Sequence, residues 1–178
     1  MEHVPWDRRS RRAGSTRRSV IAAVAALTLV AVAAAGMAAT LAPGPNGCPT
    51  NKSFKTAPIA DLAPPARTQI EAFDVLSGPI NAGTQTFTMK VRVGSTCGVD
   101  IKGASVYVTA VPYDQFTIPD EELTGDDGTA TLVFRRDANF PASSKQQQLT
   151  LFIRATKPGE NPLAGVSTRR LVAIPFGS

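Results

Sequence analysis

The chain has little of the chemistry that most enzyme sites require. Its 178 residues include a single histidine, His3, and only two cysteines, Cys48 and Cys97. Because no histidine follows residue 3, neither a Ser-His-Asp triad nor a Cys-His pair can form in residues 67–178. Zinc sites built from cysteine and histidine are excluded for the same reason. We therefore expect a chain that is not an enzyme and holds no cofactor, although a site built from carboxylates alone stays open.

The part of the chain that is expected to fold also lacks a positive field. The net charge of +5 arises mainly from residues 1–18, which hold six arginines against Glu2 and Asp7. Residues 67–178 hold eleven basic and eleven acidic side chains. A polyphosphate partner needs a concentrated positive surface. Nucleic acid is therefore not an expected partner.

The longest apolar run, residues 20–42, contains 23 residues without a charge. A helix needs about 20 apolar residues to cross a bilayer, and the preceding arginines place residues 1–18 in the cytoplasm. The run is also Ala-rich, and Gly36-Met37-Ala38 offers the small residues of a cleavage site. Thr16–Ile21 resembles a twin-arginine export signal. Residues 19–42 are thus predicted to be a transmembrane anchor, with a cleaved signal and secretion as the alternative.

The chain after the apolar run divides into two parts. Residues 43–66 contain six prolines and little periodicity, which predicts a Pro-rich linker. Residues 67–178 show short runs of period-2 alternation instead, which is typical of half-buried strands. The predicted strands are 68–76, 85–93, 104–111, 129–136, 147–155 and 166–175, with a weaker piece within 115–123. The fold class is therefore all-β: an Ig-like β-sandwich of about seven antiparallel strands, preceded by one N-terminal apolar helix. A small β-barrel is the alternative architecture.

Two stretches carry a family resemblance. "VRVGSTCGVDIKGASVYVTAVP" followed by "TGDDGTATLVF" resembles the bacterial Ig-like domains of surface proteins, the invasin-like kind. The longer set, which ends in "KPGENPLAGVSTRRLV", is similar to an uncharacterised exported domain of actinobacteria. The resemblance covers about residues 85–175 and implies the sandwich fold. It implies little about activity, since a sandwich hosts many functions.

One candidate site is a calcium cluster at one end of the sandwich. In an Ig-like strand order, the loops after the second, fourth and sixth strands share that end. Those loops carry Asp100, Asp126, Asp127 and Glu160. Calcium prefers several convergent carboxylates. The alternative interpretation, which we favour, is a tight Asp-Gly turn that needs no ligand.

The same topology brings the linker to the loop that carries Cys97, which predicts a Cys48–Cys97 disulfide. An intermolecular bridge through Cys48 is the alternative. Tyr107, Tyr113 and Phe116 form a candidate contact surface, although such residues more often fill a sandwich face.

These patterns predict a non-catalytic binding or structural module outside the membrane. In the first hypothesis, residues 20–42 tether the domain to the membrane beside a surface protein or the cell wall. In the second, a secreted domain binds a carbohydrate, a peptide or calcium through the loop end. The third is the carboxylate-only enzyme.

Overall fold

The computed structural model describes residues 42–50 and 55–177, which form two β-sheets around one core. This part of the chain contains no α-helix, and its one helical element is a 3-10 turn at Ile59–Asp61. The predicted cytoplasmic region 1–18 and the apolar segment up to residue 41 lie outside the described residues. Within the described ranges, no helix is long and apolar enough to cross a membrane.

Seven of the nine strands correspond to predicted segments, with ends that differ by up to two residues, and two strands were not expected. In chain order the strands are β1 (Thr56–Pro58), β2 (Thr68–Val75), β3 (Thr86–Ser95), β4 (Asp100–Lys102), β5 (Ser105–Val111), β6 (Glu122–Leu123), β7 (Thr129–Arg135), β8 (Gln148–Thr156) and β9 (Thr168–Pro175). The unexpected strands, β1 and β4, are three residues long. A strand of that length shows no recognisable period-2 pattern, which is why the sequence did not reveal them.

Strands that follow one another in the chain do not all lie in the same sheet. The first sheet contains β2, β3 and β7, with the short β4 and β1 added beside the end of β3. The second sheet runs in the order β6-β5-β8-β9. All neighbours are antiparallel except β1 and β4, which pair in parallel. The prediction of an all-β structure with two sheets is confirmed.

Period-2 alternation places one face of each long strand in the core. On β3, Phe87, Met89, Val91 and Val93 are all buried, while the residues between them face outward or are half-buried. The same holds on β7 and β8, whose buried residues are Ala130, Leu132, Phe134, Leu149, Leu151, Ile153 and Ala155. Burial of apolar area is the main stabilising term in such a sandwich.

The two ends of the core are closed by different interactions. At the end where β3 finishes, Thr68 joins the sheets, because its N–H and its hydroxyl both donate to the carbonyl of Val166 at 2.8 and 2.9 Å. At the opposite end, phenylalanine rings pack in a chain: Phe87 stacks on Phe134 with centroids 4.4 Å apart and meets Phe116 edge-on at 4.9 Å. We call the first of these the loop end and the second the aromatic end.

The predicted Pro-rich linker, residues 43–66, is not a free spacer where the structure describes it. Ala57, Ile59, Leu62 and Ala66 are all buried in the core, and Leu62 is fully buried. The prediction was wrong along residues 55–66 because these apolar residues are isolated among prolines. Their burial follows from the parallel pairing of β1 with β4 and the 3-10 turn, which have no sequence period.

Leu62→Ala is therefore expected to lower the free energy of unfolding by about 2–5 kcal/mol, since it leaves a cavity in the core. Leu163→Ala is the matched control, because Leu163 is 70% exposed. Urea denaturation of the full chain, followed by circular dichroism, compares the two. Equal stability of the two variants would show that residues 55–66 do not belong to the core.

Candidate binding surfaces

The loop end is covalently closed by the Cys48–Cys97 disulfide, as predicted. The Cα atoms of the two residues are 5.8 Å apart, and the bond joins positions 49 residues apart in sequence. Gly47 allows this approach: its φ is +71°, and a Cβ built there would lie 1.8 Å from the carbonyl oxygen of Ala63. Only glycine fits such a position. The segment before β1 is thus held against residues 63–66 as well as against the β3–β4 loop.

The four acidic residues of the candidate calcium cluster lie in loop-end segments but do not form a common site. Asp126 pairs with Lys102, Asp127 with Lys90 at 3.4 Å, and Glu160 with Lys157 at 3.6 Å. In the described part of the chain, no three histidine, cysteine or acidic side chains are grouped so that they could hold a metal ion. The sequence indicated the correct end of the sandwich, but each of these three carboxylates has a separate lysine partner.

Asp127 and Gly128 lie instead in a tight turn between β6 and β7. The N–H of Gly128 donates to Gly125 O at 3.0 Å, and the N–H of Gly125 donates to Thr129 O at 2.9 Å. Gly128 has a φ of +69°, and an added Cβ would lie 2.7 Å from the Cβ of Asp100. The glycine is therefore required both by its backbone conformation and by the close approach of β4.

The hydroxyl of Thr129 lowers the pKa of Asp127, since it donates to the carboxylate at 2.7 Å. The N–H of Thr129, which donates at 3.0 Å, and the nearby Lys90 act in the same direction. Hydrogen bonds to the charged form favour it over the protonated form. The carboxylate is thus held ionised as part of the turn.

The candidate aromatic surface, Tyr107, Tyr113 and Phe116, is not one surface. Phe116 is 2% exposed and packs between Phe87 and Phe140, with a centroid distance to Phe140 of 4.4 Å. Its assignment as a contact residue was wrong, because "QFTIP" has no periodicity that distinguishes its inward from its outward positions. Tyr113 is exposed in the loop that follows β5 at the aromatic end. Tyr107 is half-buried on β5, under a charged side chain.

A first groove, the loop-end groove, lies beside β5 and β8, with a volume of about 360 Å³. The guanidinium of Arg154 lies over the Tyr107 ring at 4.7 Å, and its Nη2 donates to Glu121 Oε1 at 2.8 Å. The second oxygen of Glu121 accepts from the hydroxyl of Ser105. Lys157 and Glu160, which also line the groove, pair with each other. The charged side chains of this groove are therefore paired with one another, while Arg154 Nε and Glu160 Oε2 are buried without a hydrogen-bond partner among the described residues.

A second groove, the β7-edge groove, has a volume of about 460 Å³ and separates β7 from the segment 117–122. Its size falls within the usual range for ligand pockets. Ile118 and Val133 line it and are 51% and 53% exposed. Asp120 and Glu122 also line it, and neither makes an ion pair with any residue that the structure describes. This groove thus combines exposed apolar side chains, one arginine, Arg135, and two carboxylates that make no ion pair with a described residue.

Sequence reasoning missed both grooves, because each depends on which strands are neighbours. The predicted weak strand within 115–123 was the available signal. Its proline, Pro119, indicates an edge or a break in pairing.

Comparisons with family models, with curated proteins and with solved structures found no match for this chain.

Thr129→Val should raise the pKa of Asp127 toward its ordinary value, because the strongest hydrogen bond to the carboxylate is lost. In the native protein the pKa of Asp127 lies below its value in the unfolded chain. The hydrogen bond therefore stabilises the fold when the pH is above the unfolded-state pKa. This contribution is lost as the pH falls through the folded-state pKa. A side-chain carbon NMR titration measures the change. Thr131→Val, on the same strand, is the control that should leave the Asp127 titration unaltered.

Replacing both cysteines by serine should reduce the free energy of unfolding by about 4 kcal/mol in the chain-entropy account of a loop of this length. Denaturation of the full chain in urea, with and without reductant, provides the measurement. The reduced native chain should match the double variant. A native chain that is as stable reduced as oxidised would contradict this account of the bond.

Proposed function

We propose that this protein is a non-catalytic extracytoplasmic binding or structural module, tethered to the cell membrane through residues 20–42. The observation that carries the proposal is the Cys48–Cys97 disulfide. Such bonds persist in oxidising compartments and are rare in the cytosol. Cys48 follows the apolar run by only six residues, so the bond argues that the chain after this run lies on the oxidising side of the membrane.

We infer further that the folded part is an Ig-like sandwich. The division of strands supports this, since β2, β3 and β7 share one sheet and β5, β8 and β9 share the other. This matches the placement of the first, second and fifth strands against the third, sixth and seventh in Ig-type domains. In this chain β6 pairs with β5 rather than with β7, which leaves β7 an edge strand.

The tether proposed here is short. Because Cys48 is bonded to Cys97 in the β3–β4 loop, the tether is limited to the chain between Ala42 and Cys48, which spans at most about 20 Å when fully extended. A short tether favours a partner near the membrane, either another surface protein or the wall.

The secreted binder remains the second candidate, because Gly36-Met37-Ala38 is a suitable cleavage site. Intact mass of the protein in membrane and medium fractions, measured without reductant, distinguishes the two. We expect a full-length species that requires detergent for release and is two hydrogen atoms lighter than its reduced form.

The double cysteine-to-serine variant is the matched control, since its mass should not change on reduction. A species that begins near Thr40 in the medium would overturn the tether and support the secreted binder. A full-length species with free thiols in the cytoplasmic fraction would contradict both candidates.

A further inference from the structure

The backbone of β7 has hydrogen-bonding groups on the edge that faces away from β3. On its paired edge, the N–H of Arg136 donates to Gln85 O at 2.7 Å, and Gly128 O accepts from the N–H of Val93 at 2.9 Å. The lateral direction of backbone groups alternates along an antiparallel strand. The backbone N–H and C=O groups of even-numbered residues therefore point toward β3. Those of the odd-numbered residues in 129–135 point toward the β7-edge groove.

The two ends of this outer edge are occupied by the chain itself. Thr129 O accepts from the N–H of Gly125 at 2.9 Å, and Arg135 O accepts from the N–H of Thr117 at 2.8 Å. Between them, the N–H and C=O groups of Thr131 and Val133 have no hydrogen-bond partner within residues 42–50 and 55–177. Four backbone groups are thus presented in a row beside the groove.

Pro119 explains why the chain leaves this edge. Phe116 and Arg136 form an antiparallel bridge, and continuing that register places residue 119 opposite Val133. A ladder would then need the N–H of residue 119 to bond to the Val133 carbonyl, but proline has no N–H. The segment therefore turns away after Thr117 and pairs with β5 as β6. The place of the missing strand is the β7-edge groove.

We propose that the β7-edge groove binds a short extended segment of another protein, in which about three residues pair antiparallel with Thr131–Val133 between the two occupied ends of the edge. The inference rests on the proposed function as a binding module and names the chemistry of its partner. A strand in this place would exchange two hydrogen bonds with Thr131 and two with Val133. Addition of a strand to a sheet edge is a common way to recognise peptides, in which the backbone provides affinity and alternate side chains provide specificity.

The walls of the groove favour a peptide in which basic and apolar residues alternate, since its two carboxylates outnumber its one cation, Arg135. One face of the added strand would meet Ile118 and Val133, which are exposed, and would carry apolar side chains. Its basic side chains would approach Asp120 and Glu122, the two carboxylates without a described ion pair. A second copy of this chain is disfavoured as the partner. Pairing β7 with β7 of a second copy would bring together four carboxylates, Asp120 and Glu122 from each copy.

The test uses the purified full chain in detergent and a seven-residue peptide that alternates lysine with valine. We expect the peptide to bind, and amide hydrogen exchange by NMR to show protection at Thr131 and Val133. Two versions of this peptide carry N-methyl groups on alternate residues, one version in each register. The version whose N-methyl groups face β7 cannot donate to it and should lose binding. A glutamate–valine peptide should not bind. Failure of the lysine–valine peptide to bind, or equal binding after N-methylation in both registers, would overturn the proposal.

Two protein variants test the same contacts from the other side. Val133→Pro removes one donor on an outer edge where proline is tolerated, and should weaken binding about tenfold or more. Asp120→Asn with Glu122→Gln should weaken it about threefold. Asp74→Asn with Asp114→Asn is the matched charge control, since both residues are exposed and do not line the groove.

The outcomes separate this inference from the proposed function. If Val133→Pro unfolds the chain, the N-methylated peptide still decides the matter, because it leaves the protein unchanged. Concentration-dependent dimerisation that Val133→Pro abolishes would overturn the proposal in favour of self-association. Loss of peptide binding in a chain that fractionates with the membrane would reject the peptide site alone. A cytoplasmic chain that still binds the peptide would reject the tethered and the secreted candidates and leave the peptide site supported.

Discussion

The pairing of β3 along both of its edges is the constraint on which the first sheet depends. β2 pairs with one edge, while β7 and β4 divide the other between them. This arrangement is possible because β3 is ten residues long, so β7 covers its first part and β4 meets its end. The parallel strand β1 then attaches through β4 and carries the segment up to Leu62 into the core.

The same division of strands leaves β7 at an edge. In the second sheet β6 pairs with β5 rather than with β7, since Pro119 interrupts the ladder that its segment begins with β7 at Phe116 and Thr117. Edge strands are usually protected by charge, by proline or by coverage. Here Pro119 prevents the chain from covering its own edge, and the carboxylates beside it discourage an identical edge from pairing there. Pro119 thus accounts both for the pairing of β6 with β5 and for the open stretch of the β7 edge.

The accuracy of the sequence predictions differed with the range of the interaction involved. Alternation on β3 and β8 correctly placed residues such as Val91 and Leu151 in the core, because a period of two is a local property. The Cys48–Cys97 bond was also correct, since strand order alone brings those segments to one end. Phe116 was misplaced, and Leu62 was assigned to a linker, because their burial depends on distant strands. The acidic residues were placed at the correct end, but their lysine partners depend on cross-strand register.

The amino-acid sequence by itself determined the all-β class, the positions of the long strands, the disulfide and the absence of histidine chemistry from residues 67–178. These follow from composition and from periodicity over a few residues. Tertiary structure alone decided that residues 55–66 complete the core, that three loop-end carboxylates bind lysines rather than one another, and that the outer edge of β7 is open at Thr131 and Val133. The physical reason is that hydrogen-bond partners and burial are set by which strands lie side by side, and that choice is made across the whole domain.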